Sequence, residues 1–166
     1  MEYIYRANLQ GREVTFTWIG QVVVQAARVY ALAFTASNEI LLVSGGPDDP
    51  YRWMPGGGVE LGETPEQALR RELLEEADAM IEALEYIGSQ RLDDETGWQE
   101  YQHFYWCRIA LTAQGPQRLE STLRHLVSPE KFLDTLQWGY IDPKAAMLLE
   151  RALELEWKYR HTAGGE

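Results

Sequence analysis

The sequence predicts an α/β/α sandwich built on a mixed β-sheet. Short runs rich in β-branched and aromatic residues are interleaved with helical segments, the pattern of layered α/β architecture. Three segments open with a capping residue followed by proline, Thr64-Pro65, Ser128-Pro129 and Asp142-Pro143, and each marks a helix start. The run Glu100–Leu111 carries rings on both alternating faces, Tyr101, His103 and Tyr105 against Phe104 and Trp106. That is the signature of a central strand covered on both sides.

Taken in order, Glu2–Arg6 and Glu13–Ile19 read as strands joined through a hairpin turn at Asn8–Gly11. Arg28–Thr35 and Glu39–Ser44 form a second strand pair, punctuated by Ala36–Asn38. Gly45-Gly46-Pro47-Asp48-Asp49-Pro50 is a loop by composition. At Thr64-Pro65-Glu66-Gln67, Thr64 caps, Pro65 takes the first helical position and Gln67 completes a capping box. The helix is expected to run to about Ala79, with Leu69, Leu73, Ala77 and Met80 along one apolar stripe. Strands around Glu82–Arg91 and Glu100–Leu111 follow, separated by the polar Asp93–Gly97 loop, and a terminal helix is expected over Pro143–Arg160. With no internal repeat or linker, residues 1–166 read as one domain: an N-terminal hairpin over 1–20, a loop-helix unit over 57–79 and a C-terminal helix over 143–160.

Composition narrows the partners. Fifteen basic against 26 acidic residues give a formal net charge of -11, which repels a phosphate backbone and argues against nucleic-acid binding. A small phosphorylated ligand remains compatible, because a bound divalent cation reverses the local sign. Cys107 is the only cysteine, so no internal disulfide forms. No basic-then-apolar leader opens the chain, and its most apolar stretch, Val22–Phe34, is broken by Gln25 and Arg28, short of the ~20 residues a membrane span requires. The reading is a cytoplasmic protein without a membrane partner. The hairpin ahead of the core sheet offers a surface to a second copy, so a homodimer is a hypothesis that a monomeric mass in light scattering would remove.

The chemistry gathers around Gly56-Gly57-Gly58 and the helix after it. Glycines let the backbone turn tightly and approach a ligand closely, although a plain turn is the commoner role. On the helix, Glu72 shares a face with Glu75 and Glu76, beside Arg71. These carboxylates repel by ~0.2–0.5 kcal/mol per neighbouring pair, and they sit toward the negative end of the helix dipole. A solvated acidic face is the ordinary explanation for such a cluster. Oxygen donors next to a glycine loop are equally the setting of a hard cation, Mg²⁺ or Mn²⁺, that also holds phosphates. On physics alone the two stand level.

The spacing separates them. Gly57, five residues, Glu63, seven residues and then Arg71-Glu72-Leu73-Leu74-Glu75-Glu76 resembles the Nudix box, G-x5-E-x7-R-E-U-x-E-E-x-G-U, where U is a bulky aliphatic. Trp53-Met54-Pro55-Gly56-Gly57 is similar to the family's usual approach to that box, and Val127-Ser128-Pro129-Glu130 with Phe132-Leu133 is similar to a common family segment. The box's terminal glycine and aliphatic are replaced by Asp78 and Ala79, which puts the helix end in question.

The resemblance implies a Nudix-like fold and metal-dependent hydrolysis of a diphosphate linkage in a nucleotide-like small molecule. Glu72, Glu75 and Glu76 would hold Mg²⁺ or Mn²⁺ with the Gly57 carbonyl, and Arg71 would orient the glutamates. Glu63 reads as a structural hydrogen-bonding residue. A general base would be a box glutamate or a downstream acid among Asp93, Asp94, Glu95, Glu100 and Glu120. Arg52, Trp53, Tyr101, His103, Tyr105 and Trp106 are candidates for a base or phosphate pocket, with core packing favoured for Trp106. Counting sixteen residues past Asp78 gives Asp94, where ADP-ribose members of the family often have proline; Arg91 after Ser89-Gln90 breaks the NADH-type run. These absences lean toward a nucleoside di- or triphosphate. A catalytically silent binding module is the competing class, and retention of every box acid favours the enzyme.

Overall fold

The computed structural model describes residues 3–21, 23, 25–113, 122–138 and 142–162. The first two strands, β1 (Ile4–Leu9) and β2 (Arg12–Trp18), form an antiparallel hairpin closed by Gln10 and Gly11. Both turn residues have positive φ, 54° and 87°, the backbone of a two-residue turn whose twist matches its strands. The Asn8 side chain tightens the turn by accepting the Gly11 N–H at 2.8 Å.

Strands β3 (Arg28–Phe34), β4 (Ile40–Ser44) and β5 (Gly56–Gly58) precede helix α1 (Pro65–Ala77). The long strands β6 (Ala79–Asp93) and β7 (Gln99–Leu111) follow, then β8 (Leu123–Val127), α2 (Pro129–Thr135) and α3 (Ala145–Thr162). The sheet runs in the order β1-β2-β6-β7-β3-β4-β8, and β5 pairs with the opening residues of β3. Among these pairings β3 with β7 is the parallel one and the rest are antiparallel, so the sheet is mixed as expected.

Alternation along β3 explains the layers. Val29, Ala31 and Ala33 face α1 and pack with Leu69 and Leu73, whereas Leu32 and Phe34 face α3 and pack with Leu148 and Ala152. The central strand β7 is divided the same way: Tyr105 and Cys107 on the α1 side, Phe104 and Trp106 on the other. A third cluster, Val14, Phe16 and Leu92, lies under the hairpin. Helix α3 is tied to the sheet by a buried polar clasp. Glu156 accepts hydrogen bonds from Trp106 Nε1 at 3.2 Å, Arg160 Nε at 2.6 Å and Arg108 Nη2.

Several expected boundaries shift, the first strand among them, which spans Ile4–Leu9 rather than Glu2–Arg6. Helix α1 has the capping box between Thr64 and Gln67, yet it ends at Ala77 rather than near Ala79. Asp78 stands in the left-handed region, φ 50° and ψ 41°, and its N–H caps back onto the last turn. Asp78 thus takes the conformation for which the box has glycine, and Ala79 begins β6 at once, paired with Leu111. Met80 consequently belongs to a strand, 57% exposed, and not to the helical stripe. The terminal helix starts at Ala145, because Pro143 and Lys144 form a turn in which the Lys144 N–H binds Asp142 Oδ1 at 3.1 Å. Ser128 precedes α2 as predicted, without a side-chain cap bond.

The Asp78 cap carries a measurable strain, since a left-handed conformation costs a residue with a Cβ roughly 1–2 kcal/mol, less for Asp than for Ala. Asp78→Gly is expected to hold or raise the melting temperature and Asp78→Ala to lower it. Thermal denaturation of the pair, with equal values as the contrary result, checks this.

Candidate active site

The site is assembled where β5 meets α1. Gly56 has φ 148°, and a Cβ there would stand 2.0 Å from the Val29 carbonyl oxygen, so the close pairing of β5 on β3 requires glycine. At Gly57 a Cβ would fall 2.5 Å from the Glu72 carboxyl carbon, so the absence of a side chain makes room for that carboxylate. One turn further along α1, Glu76 reaches the same strand, where its Oε2 accepts the Gly56 N–H at 2.9 Å in a buried setting. Helical spacing thereby lays two carboxylates along consecutive residues of a bare backbone.

Arg71 organises the acids. Its Nε and Nη2 grip both oxygens of Glu63 at 2.7 and 3.0 Å, the parallel fork geometry that only guanidinium provides. Nη1 donates to Glu72 Oε1 at 2.9 Å and Glu75 Oε2 at 3.2 Å, and Nη2 also donates to the Gly58 carbonyl at 2.9 Å. Four points around the loop and helix are thus bound to one cation. Among the described residues, no three acidic, histidine or cysteine side chains converge at metal-ligand spacing as they stand.

The Arg71 hydrogen bonds, with the Glu60 N–H, hold the Glu63 carboxyl down at about 2. Its folded value lies below its unfolded one, so its stabilisation is present above pH ~4.5 and is lost as pH falls through the folded value. Glu63→Gln is expected to flatten the acid limb of a stability-against-pH curve between those values; an unchanged slope there removes Glu63 from the loop's acid response.

Beside this loop, on the α3 face of the sheet, lies a cleft of about 740 Å³, a size that accommodates a small-molecule ligand. Arg28, Tyr30, Gln90, Gln102, Phe104 and Lys144 are among its lining residues. Tyr30 joins it to the box loop, since its backbone pairs with Gly56, and burial raises its hydroxyl pKa. Lys144, 1% exposed, donates to Asp142 Oδ2 at 2.5 Å and to Tyr5 Oη at 3.3 Å, and burial lowers its pKa. A shallower groove of about 620 Å³ runs along α3 past Leu153 and Trp157 and shares no residue with the box.

Most of the proposed pocket residues lie elsewhere. His103 and Tyr105 are buried with Tyr86 on the α1 side. Trp106 is core and bonds Glu156. Arg52 is held by the Asp49 and Tyr51 carbonyls, and Trp53 packs beneath α1. Tyr101 lines a smaller recess against Val59–Glu63. The period-two alternation of β7 sends residues of opposite parity to opposite faces, and aromatic content alone does not say which face holds the cleft.

Of the downstream acids, Glu100 lines the cleft, while Asp93 pairs with Arg91 at 3.0 Å. Asp94 closes the β6–β7 turn through Thr96 and Trp98, Glu95 is exposed, and Glu120 lies outside the described residues. Cys107 is fully buried, and burial raises its thiol pKa.

Residues 24–155 match the family model described as NUDIX domain. The chain belongs to the Nudix family. It is accordingly a hydrolase acting on phosphoric anhydride bonds. The fold agrees with solved Nudix structures. A mutant of the Bacillus subtilis pyrophosphohydrolase BsRppH superposes with a TM-score of 0.72 at 21% identity, covering 93% of this chain and 98% of that one. A MutT structure, from work on Aliivibrio salmonicida and Vibrio cholerae, superposes with a TM-score of 0.55 at 22% identity, covering 74% and 94%. At these identities the likeness shows the fold. No curated protein matches the chain significantly.

Proposed function

We propose that this Nudix chain hydrolyses the diphosphate linkage of a nucleoside di- or triphosphate with the help of Mg²⁺ or Mn²⁺. The observation that carries the reading is the placement of Glu72 and Glu76 against the side-chain-free Gly56–Gly57 backbone, which pairs through Gly56 with Tyr30 of the cleft lining. The pyrophosphohydrolase named among the solved relatives supports the same reaction class.

The donor set fits a hard divalent cation. Its carboxylates are oxygen ligands, and the missing Cβ at Gly57 lets the Glu72 carboxylate lie close against the loop backbone. Glu72, Glu75, Glu76 and the Gly57 carbonyl are the groups that would hold it. A cation there supplies neutralisation of the diphosphate and a more acidic attacking water. The remaining work belongs to the chain. Arg71 holds Glu72, Glu75 and the Gly58 carbonyl on one side of the loop, which keeps the acids close together ahead of binding. Glu63 anchors Arg71 from the other side. Tyr30, stacked on the buried Phe104 ring, lines the cleft where a base would sit, and Arg28, half exposed at the cleft edge, offers positive charge to a phosphate.

The competing reading, a silent nucleotide-binding module, gains nothing from the geometry because all three box acids and their arginine are in place. No described helix is long and apolar enough to cross a membrane, and the cytoplasm is the proposed location on the strength of the single unpaired, buried cysteine. Phosphate and pyrophosphate release, measured with each cation across nucleoside di- and triphosphates, nucleotide sugars and dinucleotides, tests the proposal. Turnover confined to nucleoside polyphosphates supports it. Binding without turnover on the whole panel moves the chain to the module class.

A further inference from the structure

Four residues stand on one line across the sheet: Gly58 of β5, Arg28 of β3, Gln102 of β7 and Gln90 of β6. The last three line the cleft. Their side chains form a directional relay anchored at Glu100. Arg28 Nε lies 3.5 Å from Glu100 Oε1, which accepts Gln102 Nε2–H at 2.8 Å. Gln102 Oε1 in turn accepts Gln90 Nε2–H at 2.8 Å.

The polarity of this relay is set by chemistry. A carboxylate only accepts, so Gln102 must present its NH₂ to Glu100 and its carbonyl to Gln90. Gln90 must then spend its NH₂ on Gln102. That leaves Gln90 Oε1 as the terminal acceptor. It is buried and, among the described residues, has no hydrogen-bond partner, in a residue 1% exposed. An unsatisfied buried acceptor costs about 1–3 kcal/mol. Reversing both amides to relieve it would set the Gln102 carbonyl against the Glu100 carboxylate.

We infer that this relay is a nucleobase reader: Gln90 Oε1, oriented by Gln102 and Glu100, selects a base that bears an exocyclic amino group. The inference rests on the nucleotide reading of the site and names its substrate subclass. The span fits. Gly58 and Gln90 are three strand spacings apart, about 14 Å at about 4.8 Å each, so a diphosphate at the box glycines places its base beside Tyr30 with its far edge at Gln90. An amino group meets a waiting acceptor. A hydrogen at that position leaves Gln90 unsatisfied, and a carbonyl there repels it.

The test uses binding, so that it does not depend on turnover. Titration calorimetry would compare AMP with purine riboside monophosphate, and CMP with its 2-pyrimidinone counterpart, each pair differing by the amino group alone. The amino member is expected to bind at least about fivefold more tightly, the lower end of what one buried acceptor is worth. Gln90→Met is expected to bring each ratio close to one. Glu100→Gln, at a less buried position, is expected to reduce the ratio by letting the relay run in either direction. Equal affinities within each pair in the unaltered protein, absence of binding by either member, or ratios untouched by both substitutions would each overturn the inference. Hydrolysis of the triphosphate panel reports separately on the reaction, so turnover without amino selectivity sinks this inference and leaves the hydrolase reading standing.

Discussion

Glu76→Gln is expected to lower cation-dependent turnover by roughly two to three orders of magnitude, the scale of losing one preorganised electrostatic group in an active site. The substitution is well chosen because it separates charge from structure. Glu76 is buried and its Oε2 accepts the Gly56 N–H, a bond that the glutamine carbonyl oxygen can still accept. The loop geometry should therefore survive, with a melting temperature close to that of the unaltered protein. What disappears is an anionic donor, half of which becomes an NH₂ facing the position proposed for a cation. Isothermal titration with Mn²⁺ and steady-state turnover together check it. Weakened cation binding with lost turnover and intact melting is the expected triad. Turnover within a few-fold of the unaltered protein would remove Glu76 from the proposed ligand set.

The largest stability effect is expected at the other end of the fold. Glu156→Leu leaves Arg108 buried without its carboxylate and strips Trp106 Nε1 of its acceptor. Breaking a buried pair from one side costs about 3–5 kcal/mol, and for a chain of this size that is roughly 10 °C of melting temperature. Arg108→Met combined with Glu156→Leu is expected to recover much of the loss, because a charge without a partner, rather than the missing attraction, causes most of the damage. Differential scanning calorimetry of both single variants and the double resolves this. If the double variant melts no higher than Glu156→Leu alone, the clasp stabilises by attraction and the account is wrong. Arg160, on the helix surface at 36% side-chain exposure, shares Glu156 but keeps solvent as an alternative partner, so its removal should matter much less.

Local signals carried a large part of the structure. The Thr64-Pro65-Glu66-Gln67 start needed only neighbouring residues to form its capping box, and it appears as read. The Asn8–Gly11 turn and the Ala36–Asn38 punctuation likewise depended on short-range backbone preferences, and both hairpins are present. The end of α1 was less legible, because the left-handed cap at Asp78 is held in place by the residue that follows β7. The Thr112 N–H and hydroxyl both bind the Asp78 carbonyl, at 2.9 and 2.8 Å. A conformation unfavourable to Asp locally is stabilised by a partner 34 residues away.

By itself, the sequence determined the order of the helices and of every strand but β5 and β8, the glycine-to-glutamate spacing that puts Gly57, Arg71, Glu72, Glu75 and Glu76 on one loop and one helix, and hence the family. All of those rest on residues within a turn or two of each other, where periodicity and spacing act directly. Only the tertiary structure decided where the cleft lies and what lines it. The parallel pairing of β3 with β7 sets Arg28 beside Gln102, and the antiparallel pairing of β6 with β7 sets Gln90 on its other side. Lys144 is enclosed by Tyr5 and Asp142, and Glu156 finds Arg108 across 48 residues. Each contact depends on strand register, and slipping one strand by a single residue would turn its side chains to the opposite face. Register is settled by the burial of the whole sheet between α1 and α3, a property of the assembled layers that no single segment encodes.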